Sequence, residues 1–224
     1  MSSDEQMQWR PQAFGRRNVK DIADPVIEPM WRGDRVLVTV AAGGIGVQDP
    51  DGAAVTEDID EIVEQLRTAV LSDDAVIDGY LTRQATSDPA KVYKVAADVP
   101  TAGQMTSQML VGRGIGSRAL PGAMPEEAKA ELGNPLAFVA VDLLSVDGQA
   151  LLDIPLLERK RLLDSLVRES NLVRRCVYVR LPVDTWLSSW RALGFRELAY
   201  KSANGRYLPG EINDSWAVVR IPTT

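Results

Sequence analysis

Among its 224 residues the chain has no histidine and a single cysteine, Cys176. Without histidine there is no Ser-His-Asp or Cys-His catalysis and no zinc motif of the histidine type. One cysteine excludes an intrachain disulfide and a thiolate metal cluster within one chain. Long apolar runs are also missing. No stretch approaches the length of a membrane span, and Met1–Arg10 is polar and acidic rather than a leader. The expectation is a soluble, cytoplasmic protein without a membrane partner. What is present is a hydrophobic content of 45%, enough for one large domain or two small ones with a substantial core.

Basic residues are outnumbered, giving a net charge of −6, but they are unevenly spread. Residues 51–156 hold 7 basic and 17 acidic side chains (−10), whereas residues 157–206 hold 11 basic and 5 acidic (+6). An acidic whole argues against strong non-specific nucleic-acid binding, while a basic C-terminal half can still present a local phosphate-facing surface. Charge runs usually sit in solvent, so Arg159, Lys160, Arg161, Arg168, Arg174 and Arg175 are expected on solvated faces.

Residues 1–24 lack hydrophobic periodicity and read as a mobile N-terminal arm, with Arg16, Arg17 and Lys20 as their basic cluster. Val36–Ala42 is rich in β-branched residues, and Ile45–Gln48 after Gly43-Gly44 is its expected hairpin partner. Ile59, Ile62, Val63, Leu66 and Val70 fall on one helical face, preceded by Asp58 and Glu61 in capping-box spacing. Ala75–Thr82 reads as a strand. An insert follows at about 83–135, within which Lys91–Val99 reads as a strand and Met124–Leu132 as a short helix. Its Gly112-Arg113-Gly114-Ile115-Gly116 lacks the strand-to-helix context and the terminal Lys-Ser/Thr of a phosphate loop. Leu136–Leu144 is an apolar strand interrupted by Asp142, and Ser145-Val146-Asp147-Gly148 makes a turn. Pro155 opens a helix running to about Glu169, with Leu156, Leu162, Leu163, Leu166 and Val167 apolar. Arg175–Leu181 reads as a strand. Asp184–Leu193 is a helix with Trp186, Leu187, Trp190 and Leu193 inward, stopped by Gly194. Phe195–Tyr200 and Ser215–Ile221 complete the strands. Strands and helices mix without regular alternation, which gives an α+β, antiparallel-rich domain over 25–222.

The stretch Glu28-Pro29-Met30-Trp31-Arg32-Gly33-Asp34-Arg35 resembles the first motif of ATP-dependent DNA ligases and related covalent nucleotidyltransferases, Glu-Pro-Lys-x-Asp-Gly-x-Arg in bacterial ligases. Four further segments resemble that family in the same order. They are Asp78-Gly79-Tyr80-Leu81, the Phe138–Arg161 block, Gly194–Lys201, and Tyr207-Leu208-Pro209-Gly210 with Trp216–Arg220. The likeness is greatest to the ligase domains of bacterial end-joining enzymes. It implies an ATP-grasp-like nucleotidyltransferase domain, expected without the OB-fold domain that closes over nucleotide and DNA in the family.

The departures fall on the chemistry. In the family a lysine amine becomes covalently adenylated, and here Met30 holds that position with a thioether that cannot form a phosphoramide. Arg32 replaces the first-motif aspartate. Tyr80 and Arg196 hold positions of family glutamates, Val141 that of the adenine-stacking aromatic, and Val218 that of the first closing lysine. Magnesium needs carboxylate or phosphate oxygens, so no metal is expected, and each carboxylate-to-arginine exchange makes the surroundings better suited to bare phosphate. The resemblance therefore implies no functional catalytic residue and a metal-free nucleotide- or phosphate-binding set of Glu28, Arg32, Arg35, Lys201 and Arg220, with Arg196 beside them. ATP or AMP without magnesium is the candidate ligand, and DNA, RNA or a repair protein the candidate partner. Three readings follow: an inactive ligase-like accessory in DNA repair, a working nucleotidyltransferase using another nucleophile or a partner's lid, and a protein-interaction module built on the insert.

Overall fold

The computed structural model describes residues 9–84 and 134–222, so the strand, helix and glycine run expected within 85–133 lie outside the described residues. Ala13–Phe14 (β1) leads through a 3-10 turn at Val19–Asp21 to Pro25–Pro29 (β2). The β-branched run after Arg35 forms Asp34–Ala41 (β3), paired with Gly44–Gln48 (β4) as the expected hairpin. Ile62, Leu66 and Ala69, spaced for one face, are buried along Asp60–Ala69 (α1). Ala75–Thr82 (β5) forms with the boundaries that its sequence marks. Ala137–Val146 (β6) turns through Asp147 and Gly148, both at positive φ (50° and 76°), into Gln149–Ala150 (β7). Leu156–Leu166 (α2) begins after Pro155, and Val173–Arg175 (β8) follows. Asp184–Ala192 (α3), Glu197–Ser202 (β9), Ile212–Asn213 (β10) and Trp216–Arg220 (β11) complete the order.

The strands β4-β3-β5-β6-β7 form an antiparallel sheet, with β8 added parallel to β6. A second antiparallel sheet has the order β11-β9-β2, and β1 pairs in parallel with β10. One face of the larger sheet (Val36, Val38, Ile77, Ala140, Leu143) packs on Ile62 and Leu66 of α1 and Leu163 and Leu166 of α2. The other face meets the smaller sheet, with Leu37, Val76 and Leu144 against Val26 and Trp216. Val139, Val141 and Tyr80 likewise meet Ile27 and Leu198. The site is built between these two sheets. No helix among the described residues is long and apolar enough to cross a membrane.

Where it is described, the expected N-terminal arm is instead docked from residue 9 onward. Gln12 is fully buried, and its Oε1 accepts from Leu208 N (2.7 Å) and Asn213 Nδ2 (2.9 Å). Phe14 packs on Trp216 with ring centroids 5.3 Å apart. One amide side chain and one ring do the anchoring, so no apolar stripe announces it. Asp58 and Glu61 make no capping box: Ile59 is the N-cap, without a side-chain cap bond, and Asp58 has a φ of 57°. The strand expected over Arg175–Leu181 ends at Arg175 and survives beyond it as an isolated Ile27–Val179 bridge. Leu162 is 40% exposed rather than part of the core face of α2. The largest correction concerns charge: Arg159, Lys160 and Arg174 are buried, at 0%, 1% and 3% exposure, not solvated.

Candidate functional site

Strand register sets the geometry. Across the smaller sheet Val26, Lys201 and Trp216 lie opposite one another, as do Glu28, Ala199 and Val218. Alternation puts all six on one face. One step further, Arg220 lies opposite Glu197, whose carbonyl accepts from Met30 N (2.9 Å). This face therefore grades from a closed end at Lys201 and Trp216, both buried, to an open end at Arg220, whose side chain is 92% exposed. Met30 sits half-buried near the open end, next to Trp31, which turns inward. The Trp31 ring meets Phe195 edge-on at 4.9 Å, and its Nε1 donates to Cys176 Sγ (3.2 Å). Tyr80 and Val141 pack in the same cluster.

The closed end is an ionic layer between apolar clusters. Glu28 accepts from Lys201 Nζ at 2.7 Å on Oε2 and forms an ion pair with Lys160 through Oε1. Lys160 also donates to the Val141 carbonyl (2.5 Å). Lys201 stands 4.1 Å from the centroid of the Trp216 ring, a cation-π contact. Asp78 and Asp142, cross-strand partners on β5 and β6 and both fully buried, each hold an arginine by two bonds. Arg35 reaches Asp78 at 2.6 and 3.0 Å, and Arg159 reaches Asp142 at 2.8 and 2.9 Å. The Tyr207 hydroxyl donates to Asp78 as well (2.7 Å).

Burial alone would raise the Glu28 pKa, but Lys160 and Lys201 hold it below the usual carboxylate range. Burial works against the charge on Lys160, yet Glu28 keeps its pKa above the ordinary lysine value. For Lys201 the balance tips the other way: burial, with Lys160 nearby, pulls its pKa down despite Glu28. Burial pushes the Cys176 thiol up to about 12 and the Tyr80 hydroxyl up to about 12.

The cations named from the sequence thus fall into two groups. Arg35 and Lys201 lie inside, each on a carboxylate. Arg32, Arg196 and Arg220 lie exposed at the ends of β2, β9 and β11 that meet at the open end. Glu28 does come together with Lys201, and Tyr80 with Trp31. Sequence reading missed Lys160, Arg159 and Tyr207. The signal was there for the two cations, because positions 159 and 160 complete the helical stripe of Leu156, Leu163 and Leu166. Chemically, a thioether at Met30 has no N–H and cannot form a phosphoramide, and both buried aspartates already have arginine partners. Among the described residues no group of three or more His, Cys, Asp or Glu is arranged to hold a metal ion.

No protein-family profile matches the sequence. A probable DNA ligase of Streptomyces coelicolor is 36% identical over 104 residues, 44% of this chain and 20% of that protein. A probable DNA ligase of Streptomyces avermitilis is 36% identical over 118 residues, 50% of this chain and 22% of that protein. The match thus spans about a fifth of the length of these relatives. Among solved structures, the ligase domain of M. tuberculosis LigD superposes with a TM-score of 0.61 at 23% identity, covering 95% of this chain and 59% of that one. A Lig E DNA ligase superposes with a TM-score of 0.52 at 15% identity, covering 96% of this chain and 69% of that one. In fold the chain is similar to the nucleotidyltransferase domains of ATP-dependent DNA ligases, and over about half of its length its sequence is similar to probable DNA ligases.

Proposed function

We propose that this chain is a ligase-type domain that has lost adenylate transfer and serves as a nucleic-acid-binding accessory in DNA repair. The observation that carries the reading is the closed end of the site. Its lysines are already satisfied by Glu28, while Met30 occupies the place of the family's reactive amine. Magnesium does not fit the residues present: Asp78 and Asp142 are held by arginines, and Tyr80 and Arg196 stand where the family has glutamates. ATP or AMP entering without metal has to displace a buried carboxylate from Lys201. Arg32, Arg196 and Arg220 are exposed at the open end, where a polyphosphate backbone can reach them without entering the buried layer. A solved relative, a Lig E DNA ligase characterised by DNA binding with a minimal scaffold, supports this direction, whereas mycobacterial DNA ligase D is complexed with ATP and MES.

The test is titration of a labelled nicked duplex over a salt series. Binding that weakens with salt and weakens further in Arg32→Ala and Arg196→Ala supports the reading. Absence of binding to DNA and RNA contradicts it and favours a protein-interaction module. One observation favours a second reading, a working nucleotidyltransferase with a different nucleophile. The depressed pKa of Lys201 brings its amine closer to the neutral, reactive form. An AMP adduct that disappears in Lys201→Met would establish that alternative.

A further inference from the structure

We infer that the strap joining β1 to β2 is a second phosphate-backbone contact, in which Arg16, Arg17 and Lys20 carry a nucleic-acid strand along the outer edge of β11. The inference rests on the nucleic-acid reading above and adds a surface outside the ligase-like site. The strap is held in place. Gly15 N donates to Trp216 O (2.9 Å) and Asn213 O (3.0 Å), and Asn18 Oδ1 accepts from Lys20 N (3.0 Å). Ile22 is buried beneath it, and the 3-10 turn Val19–Asp21 lies against β11. A side chain at position 15 would prevent the close approach, because a Cβ there would lie 2.6 Å from the Asp214 Cα. Cations on a fixed track lose less freedom on binding than cations on a loose tail.

Their lack of partners is the second observation. Five exposed arginines elsewhere stand beside acids: Arg67 by Glu64, Arg83 by Asp58, Arg161 by Glu158, Arg180 by Asp24 and Arg206 by Asp153. Arg16, Arg17 and Lys20 are exposed, and their side chains meet no carboxylate among the described residues. The acidic groups nearest along the strap are Asp21 and, at the Gly15 turn, Asp214. Three unneutralised cations on a chain of net charge −6 form a local site that suits evenly spaced phosphates. Arg220 at the end of β11 joins this edge to the open end of the site.

The experiment uses the full chain, a labelled nicked DNA duplex and an RNA duplex of the same sequence, each titrated over a salt series. For the R16E/R17E/K20E variant we expect binding weakened by about tenfold or more at low salt, and a salt dependence shallower by about three phosphate contacts, on the order of 0.9 each in log–log slope. R16Q/R17Q/K20Q should fall between the variant and the parent chain, with an unchanged melting temperature in both. R161E/R168E changes charge in the same sense away from the strap and should bind as the parent does. Unchanged affinity and slope in the strap variants, with the parent still binding, would overturn the inference and leave the nucleic-acid reading standing. Equal weakening in R161E/R168E would reduce it to a net-charge effect, and no binding by the parent to either duplex would remove both. Retention of the strap effect on DNA alone, or on both duplexes, identifies the strand that is carried.

Discussion

At Glu28 a single carboxylate serves two buried ammonium groups, and this shortage decides how the interior responds to substitution. Glu28→Gln leaves Lys160 and Lys201 without their carboxylate, in a place solvent does not reach. Removing one partner of a buried pair costs about 3–5 kcal/mol. Lys201→Met instead leaves the Glu28–Lys160 pair in place and removes the ammonium that burial already disfavours. Urea unfolding should therefore show Glu28→Gln clearly less stable than Lys201→Met, and the reverse order would mean that the two lysines do not share one acid. Cys176 gives a pH signature. Its thiol stays protonated in the fold up to about 12, against an ordinary value of 9.0, while the unfolded chain releases that proton. The folded state then binds more protons, so stability falls as pH rises past about 9, with a limiting slope of about 1.4 kcal/mol per pH unit. Unfolding free energies from pH 8 to 10 should show this fall in the parent chain and a flatter profile in Cys176→Ala. Neither effect was legible in the sequence, because Glu28 and Cys176 carry no local sign of which side chains the fold brings to them.

Among the elements, periodicity was legible and pairing was not. The β3–β4 hairpin, α1, β5 and β6 formed as their patterns require, since each buries a continuous face. The cationic stretch of α2 read as solvent-facing because Arg and Lys outnumber acids there. Asp78 and Asp142 within apolar strands were the complementary sign that buried cations must exist. The docked strap was missed because Gln12 and Phe14 hold it without a repeating pattern. The loop after Met30 shows how tightly the local geometry is fixed. Gly33 has a φ of 133°, and a Cβ there would sit 2.0 Å from the Leu81 carbonyl oxygen. Gly33→Ala should cost about 1–3 kcal/mol in urea unfolding. A neutral result would show that this loop is free to move away from β5.

Across the whole molecule, the order of the family-like segments predicted an α+β domain with antiparallel-rich sheets; the structure has two such sheets facing one another, in a fold similar to that of ligase domains. What the order of segments could not convey is how the space between the sheets is used. Ion pairs occupy its closed end, Trp31 and its neighbours line the middle, and arginines remain at its mouth. On the proposed function, a domain with this arrangement keeps the scaffold and offers phosphate only an outer surface. The direct test is the intact mass of the purified chain after incubation with ATP and magnesium. An unchanged mass is the predicted result. A covalent gain of one AMP, retained after the nucleotide is removed, would contradict the proposal that adenylate transfer has been lost.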